Sequence, residues 1–79
     1  MLTRALAKAW APKISVNSVA PGVIPFGATD ERIEKLIAAT PACRGGTAEE
    51  VADAVVYFLT ATNFVTGQVV AVDGGLSQR

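Results

Sequence analysis

Few side chains in this 79-residue sequence are of the types that enzymes use for acid–base or nucleophilic chemistry. The sequence has no histidine and one cysteine, Cys43. Without a histidine, neither Cys43 nor a serine has its usual activating base, so we interpret Cys43 as a buried or incidental thiol. The missing histidines and the single cysteine also argue against a transition-metal site. We therefore assign no catalytic residue and no metal ligand.

The remaining polar candidates have structural explanations. Glu49 and Glu50 could act as paired carboxylates, but at the first turn of a helix they are explained by capping and by the helix dipole. A phosphate could bind at Gly45-Gly46-Thr47, yet a flexible entry to a capping box explains these residues without a ligand, and we favour that interpretation. Tyr57 lies beside an apolar helical stripe, which predicts a packing role.

The best candidate site is the loop from Pro21 to Gly27. It follows a predicted strand, and ligands in open α/β sheets bind beyond the carboxyl ends of strands. Gly22 lets the backbone approach a flat ligand, and the two prolines stiffen the path. The apolar contacts would come from Val23, Ile24 and Phe26. An ordinary loop between strand and helix is the alternative, and the spacing leaves it open.

The periodicity of apolar residues predicts the elements that position this loop. Helices are expected over residues 2–11 and 30–40, with a third that begins at the Thr47–Glu50 capping box, and strands are expected over 14–19 and 68–72. The third helix should bury the stripe Val51, Ala54, Val55, Phe58 and Leu59. The last strand is nearly all apolar, as in a parallel strand covered on both faces. Met1 has no capping residue before it, so the first helix looks severed.

The order of elements predicts one α/β domain over residues 1–79, with two parallel strands joined by a right-handed crossover. The chain is 51% hydrophobic and 18% charged, which is rich in apolar residues for so small a protein. We expect a homo-oligomer formed through helix 2–11 and the strand edges. Scattered charges argue against nucleic acid and anionic membranes as partners, and the absence of a signal or membrane-spanning stretch suggests the cytoplasm.

Four segments carry a family resemblance: Leu2–Ala7, Ile14–Gly22, Arg44–Ala52 and Thr66–Gly75. In this order and spacing they resemble the last third of short-chain dehydrogenases/reductases. Two further segments, Val23–Phe26 and Asn63–Gln68, look somewhat like the pteridine-reductase-like branch. The resemblance implies the C-terminal part of a Rossmann-type, doubly wound fold.

The resemblance also implies roles for the loop. Residues Pro21, Gly22, Val23 and Ile24 would meet the nicotinamide carboxamide of NAD or NADP. A substrate lid would be formed by Phe26 with Ile33 and Leu36. The family often has a threonine near the position of Phe26, where its hydroxyl helps to hold the cofactor, and its absence puts that contact in doubt.

The family's Gly-rich turn and its catalytic Ser, Tyr and Lys precede the matched segments. Tyr57 is no substitute, because the residue four places on is Ala61 rather than lysine. The resemblance therefore implies part of an NAD(P)(H)-dependent oxidoreductase acting on a carbonyl, alcohol or imine, inactive as this chain alone. The alternative is a non-enzymatic, self-associating βαβ module.

Overall fold

The computed structural model describes residues 2–78 and has an α/β architecture. Its elements are α1 (Leu2–Trp10), β1 (Ser18–Pro21), α2 (Glu31–Ala39), α3 (Ala48–Thr60), β2 (Val69–Val72) and a short 3₁₀ helix (Leu76–Gln78). The two strands are parallel, with Ser18 opposite Val69 and Pro21 opposite Val72. The predicted βαβ order is therefore confirmed. The predicted severed helix start at Met1 lies outside the described residues.

Strand β1 begins later than the sequence predicted, so the range 14–19 is wrong. Residues before Ser18 run beside a turn rather than a strand. The Val16 N–H donates to the Thr66 hydroxyl at 3.0 Å, and its carbonyl accepts from the Gly67 N–H at 2.7 Å. A regular ladder needs a partner strand, and that partner begins at Val69. The strand then runs on through Pro21, which had been expected to lie in the loop.

Side-chain caps define the starts of the two crossover helices. The Asp30 carboxylate accepts from the Ile33 N–H at 2.9 Å and begins α2. The Thr47 hydroxyl accepts from the Glu50 N–H at 3.1 Å, while the Glu50 carboxylate accepts from the Thr47 N–H at 3.0 Å. This reciprocal pair confirms the predicted capping box and fixes where α3 leaves the preceding connector.

The predicted burial of α3 and β2 is wrong. Among the described residues only Ala7 and Thr40 are fully buried. On the predicted stripe of α3, Leu59 is 77% exposed, and in β2 Val69 is 58% exposed. The elements form as expected, but within residues 2–78 many apolar side chains of α3 and β2 stay exposed.

The overall dimensions agree with this open packing. The accessible surface is 5798 Å², whereas a folded monomer of 8.2 kDa has about 4,500 Å². The radius of gyration is 14.9 Å, against about 12 Å for a compact chain of this length. The chain therefore exposes much more surface than a self-contained domain of its size.

Candidate functional site

The loop after β1 is tied to its surroundings by two backbone hydrogen bonds. The Gly22 N–H donates to the Val72 carbonyl at 3.0 Å, which extends the ladder past the end of β1. The Gly46 N–H then donates to the Val23 carbonyl at 2.8 Å. Because both parallel strands end at this edge, the loop lies where ligands bind in open α/β sheets.

Gly22 is required by a close contact within the chain. A Cβ placed on Gly22 would lie 2.7 Å from both the Cα and the Cβ of Asp73. Sequence reasoning had assigned this glycine to close approach of a ligand. That role stays a prediction, and the structure shows that the missing side chain also lets the loop pack against the residue that follows β2.

The connector before α3 packs closely on the same loop. A Cβ on Gly45 would lie 2.7 Å from Pro25 Cδ, and a Cβ on Gly46 would lie 2.8 Å from Ile24 Cδ1. Pro25 and Ile24 are both half-buried. These two glycines, interpreted from the sequence as a flexible entry to a helix, are therefore also the surface that supports the loop.

The tip of the loop is a tight turn that exposes Phe26. The Ala28 N–H donates to the Pro25 carbonyl at 3.0 Å, and Phe26 and Gly27 have φ of 54° and 82°. Phe26 is 79% exposed. A recess of about 360 Å³ lies between residues 24–27 and the start of α3 at residues 46–49. Ile33 is half-buried and Leu36 exposed, and the lid role of Phe26, Ile33 and Leu36 stays a prediction.

The N-terminus of α3 is already occupied by a carboxylate of the chain. The Arg44 guanidinium donates to both oxygens of Glu50, at 2.9 and 2.7 Å. Hydrogen bonds from Arg44 first, and then from the Thr47 N–H, lower the pKa of Glu50 to about 2. A phosphate would have to displace this carboxylate, so the geometry favours the capping interpretation over an anion site.

The segment after β2 contacts both the loop and the connector. The Asp73 carboxylate accepts from the Ser77 and Gly75 N–H groups, each at 3.0 Å. These bonds, with Ser77 contributing most, hold the pKa of Asp73 below its usual range. The Gly74 carbonyl accepts from the Ala42 N–H at 3.0 Å. In the sequence, residues 73–75 stood out only as the end of the resembling segment Thr66–Gly75, and this contact with the connector was not predicted.

Cys43 and Tyr57 had also been weighed for chemistry. Cys43 is exposed, with φ of 60°, so of the two predicted alternatives, a buried or an incidental thiol, the buried one is wrong. Tyr57 is more than half exposed, and its ring centroid lies 5.6 Å from that of Phe58. The assignment of no catalytic residue stays a prediction. None of the described helices has the length and hydropathy needed to cross a membrane.

Comparison with known proteins decides the family. The family model described as enoyl-(acyl carrier protein) reductase matches residues 1–77. The chain belongs to the short-chain dehydrogenase/reductase family. Galactitol 2-dehydrogenase of Rhizobium johnstonii is 44% identical over 84 residues, covering 96% of this chain and 33% of that protein. The 3-oxoacyl-[acyl-carrier-protein] reductase FabG of Aggregatibacter actinomycetemcomitans is 46% identical over 67 residues, covering 81% and 28%.

Solved structures of dehydrogenases have the same fold. A structure from Agrobacterium tumefaciens, named as a 2-deoxy-D-gluconate 3-dehydrogenase with bound NADP, superposes with a TM-score of 0.84 at 37% identity. The match covers 99% of this chain and 35% of that one. The family resemblance and the Rossmann-type fold are thus confirmed, and the chain spans about a third of the length of the relatives it matches. These relatives are other members of the family and give no support to the pteridine-reductase-like branch.

Proposed function

We propose that this chain forms the nicotinamide-facing and substrate-facing part of an NAD(P)(H)-dependent oxidoreductase. The observation that carries the proposal is the fixed loop of Pro21, Gly22, Val23 and Ile24 at the carboxyl edge of the sheet. Among the described residues, the N–H groups of Val23 and Ile24 donate no hydrogen bond. A nicotinamide carboxamide has an oxygen that accepts and an NH₂ that donates, so it can pair with such a backbone segment.

The relatives support this assignment. The solved structure with bound NADP shares 37% identity over nearly the whole chain, so the segment corresponds to part of a protein that holds this cofactor. The bound cofactor would supply or accept the hydride. The loop residues of this chain would hold the carboxamide and so orient the nicotinamide ring toward the substrate. The sequence leaves the choice between NAD and NADP open.

The names of the relatives support a substrate class. The relatives are named as a dehydrogenase of a sugar alcohol and a reductase of a 3-oxoacyl thioester carrier. Both names describe interconversion of an alcohol and a carbonyl. We therefore assign hydride transfer at a carbonyl or alcohol carbon in preference to an imine. A cytoplasmic location stays a prediction from the sequence.

Calorimetric titration of NADH and NADPH into the purified chain tests the loop. Val23→Asp places a charge within the loop, and Val56→Asp makes the same change on an exposed position of α3 as a matched control. We expect micromolar binding that weakens at least about tenfold, or about 1.4 kcal/mol, in Val23→Asp only. The proposal would be wrong if neither cofactor binds to the folded chain, or if the two variants lose the same amount of cofactor affinity.

Turnover is a separate question from binding. The family's catalytic Ser, Tyr and Lys have no counterpart in this sequence, so we expect binding without measurable cofactor oxidation. Purified chain incubated with NADPH and a panel of ketones checks this by the loss of cofactor absorbance. Oxidation above a no-protein control would show that another group supplies the proton.

A second candidate function, self-association, is favoured by the excess of exposed surface. The surplus over a compact monomer is about 1,300 Å² per chain, so two chains have about 2,600 Å², which falls within the roughly 2,000–5,000 Å² that obligate homodimer interfaces bury. A groove of about 500 Å³ along β1 and α3 is lined by the apolar side chains of Val19, Val55, Phe58 and Leu59. A second copy, through this groove and the exposed α1, would cover the surplus.

Analytical ultracentrifugation at micromolar concentration tests this second function. We expect an oligomer that Leu59→Glu dissociates at least about tenfold more readily, because a carboxylate would be buried in an apolar interface. Thr62→Glu adds the same charge to an exposed position just beyond α3 and should leave the oligomer intact. A monomeric wild-type chain with a cooperative melt would rule this function out.

A further inference from the structure

The Arg44 side chain joins the first turn of α3 to the connector that precedes it. Its guanidinium forms two hydrogen bonds with the Glu50 carboxylate, at 2.9 and 2.7 Å. The same Nη1 atom also donates to the Gly45 carbonyl at 3.0 Å. One side chain therefore fixes both the first turn of α3 and the backbone of the glycine that follows it in sequence.

The backbone fixed in this way supports the loop after β1. Gly46 donates its N–H to the Val23 carbonyl at 2.8 Å, and Gly45 packs against Pro25. Two successive glycines have no side chains with which to restrict their own backbone. The position of the Gly46 N–H therefore depends on the contacts that fix the connector on both sides of the two glycines. The position of the loop depends on the same contacts.

We propose that Arg44 is a positioning residue for the loop Pro21–Ile24. Through Glu50 and the Gly45 carbonyl it holds the connector where the Gly46 N–H orients Val23. Its importance for cofactor binding rests on the proposed function, but its effect on the loop does not. Arg44 contacts no reacting group, so it acts only through the backbone that it holds.

The exposure of the ion pair supports a local role over a stabilising one. The side chains of Arg44 and Glu50 are 59% and 39% exposed. Ion pairs this accessible contribute little to the free energy of unfolding. The geometry is specific, however, because the two nitrogens that donate these three hydrogen bonds belong to one forked guanidinium, whereas a lysine ammonium is a single point charge.

Amide hydrogen exchange measured by NMR on the full chain tests the proposal. In Arg44→Ala we expect the Gly46 amide to exchange at least about tenfold faster, with shifted Val23 and Ile24 signals. The Val55 amide within α3 should be unchanged, and Arg44→Lys should restore the Gly46 protection only in part. Lys35→Ala breaks another exposed ion pair, with Glu31 at 3.6 Å, and serves as the matched control with no effect on the loop.

The outcomes separate this proposal from the proposed function. If amide exchange becomes faster by the same factor at Gly46 and Val55, Arg44 only stabilises the fold. If exchange at Gly46 does not change, Arg44 does not position the connector. Either result overturns the positioning role. A loop that moves in Arg44→Ala supports that role even if wild-type chain fails to bind NADPH, in which case only the proposed function fails. If NADPH binds, we expect Arg44→Ala to weaken it about tenfold.

Discussion

Replacing Gly22 by alanine tests whether the loop and the end of β2 form one packed unit. The new Cβ would lie 2.7 Å from the Cα and Cβ of Asp73, whereas carbon atoms in contact prefer about 3.5–4.0 Å. The backbones must separate by roughly 1 Å. This shift also strains the 3.0 Å hydrogen bond from the Gly22 N–H to the Val72 carbonyl.

The size of the effect follows from these two costs. Overpacking costs about 1–3 kcal/mol, and the loss of glycine freedom in the unfolded chain returns about 0.4–1 kcal/mol. We expect Gly22→Ala to lower the free energy of unfolding by about 1–2 kcal/mol. A 79-residue domain has about 4–12 kcal/mol in total, so the change is a large share of it.

Urea denaturation followed by circular dichroism measures this loss, with the protein concentration fixed because association adds to apparent stability. Gly27→Ala is the matched control. The φ of Gly27 is 82°, but nothing lies within 4 Å of a Cβ added there, so this substitution lowers the free energy of unfolding only through backbone strain. NMR signals of Asp73 should therefore shift in Gly22→Ala and stay in Gly27→Ala. A loss under about 0.5 kcal/mol with unmoved Asp73 signals would refute the close packing.

Three further predictions concern the connector and α3. Because hydrogen bonds lower the pKa of Glu50 from 4.5 to about 2, the contribution of its ionised form to stability is full above about pH 4.5 and is lost as the pH falls toward 2. Since the ion pair is exposed, the loss should be small; acid titration of urea midpoints measures it, and Glu50→Gln should remove it. Cys43 has φ of 60°, so Cys43→Asn should raise the free energy of unfolding by a few tenths of a kcal/mol and Cys43→Val should lower it by about 1 kcal/mol; equal midpoints would contradict the strain. Thr47→Ala should cost about 1 kcal/mol in thermal melts, and a similar loss in Thr47→Ser, which keeps the hydroxyl, would contradict the cap.

The sequence predicted what short-range patterns determine. The capping box at Thr47–Glu50 needs only residues three apart, and its geometry is as expected. The bounds of α1 and α2 and the start of α3 agree with the prediction to within one or two residues. The start of β1 could not be predicted in this way, because it is set by where a distant partner strand begins, at Val69.

The position of the loop was predicted from the sequence, but the residues that support it were not. The loop after β1 stood out because of its prolines and glycines at a strand's carboxyl end. The sequence did not show why a glycine is needed at position 22, because its spatial neighbour Asp73 is far away along the chain. Arg44 and Glu50 had each been noted separately, and only the folded connector shows them as one bidentate pair. The prediction of burial was wrong for a similar reason. Periodicity shows which face of a helix is apolar, but it does not show what covers that face.

The supports of the loop and the exposed apolar faces belong to different parts of the molecule. The loop is held by the end of β2, by Asp73 and by the connector Arg44–Gly46. Leu59 and Val55 lie on α3 beyond its first turn; Pro21 lines the same groove, but among the described residues neither side chain lines a recess with Val23 or Ile24. A change such as Leu59→Glu should therefore alter assembly without altering the signals of Val23 and Ile24. If those signals move together with the oligomeric state, the loop is shaped across the interface, and a nicotinamide site would then require more than one copy of the chain.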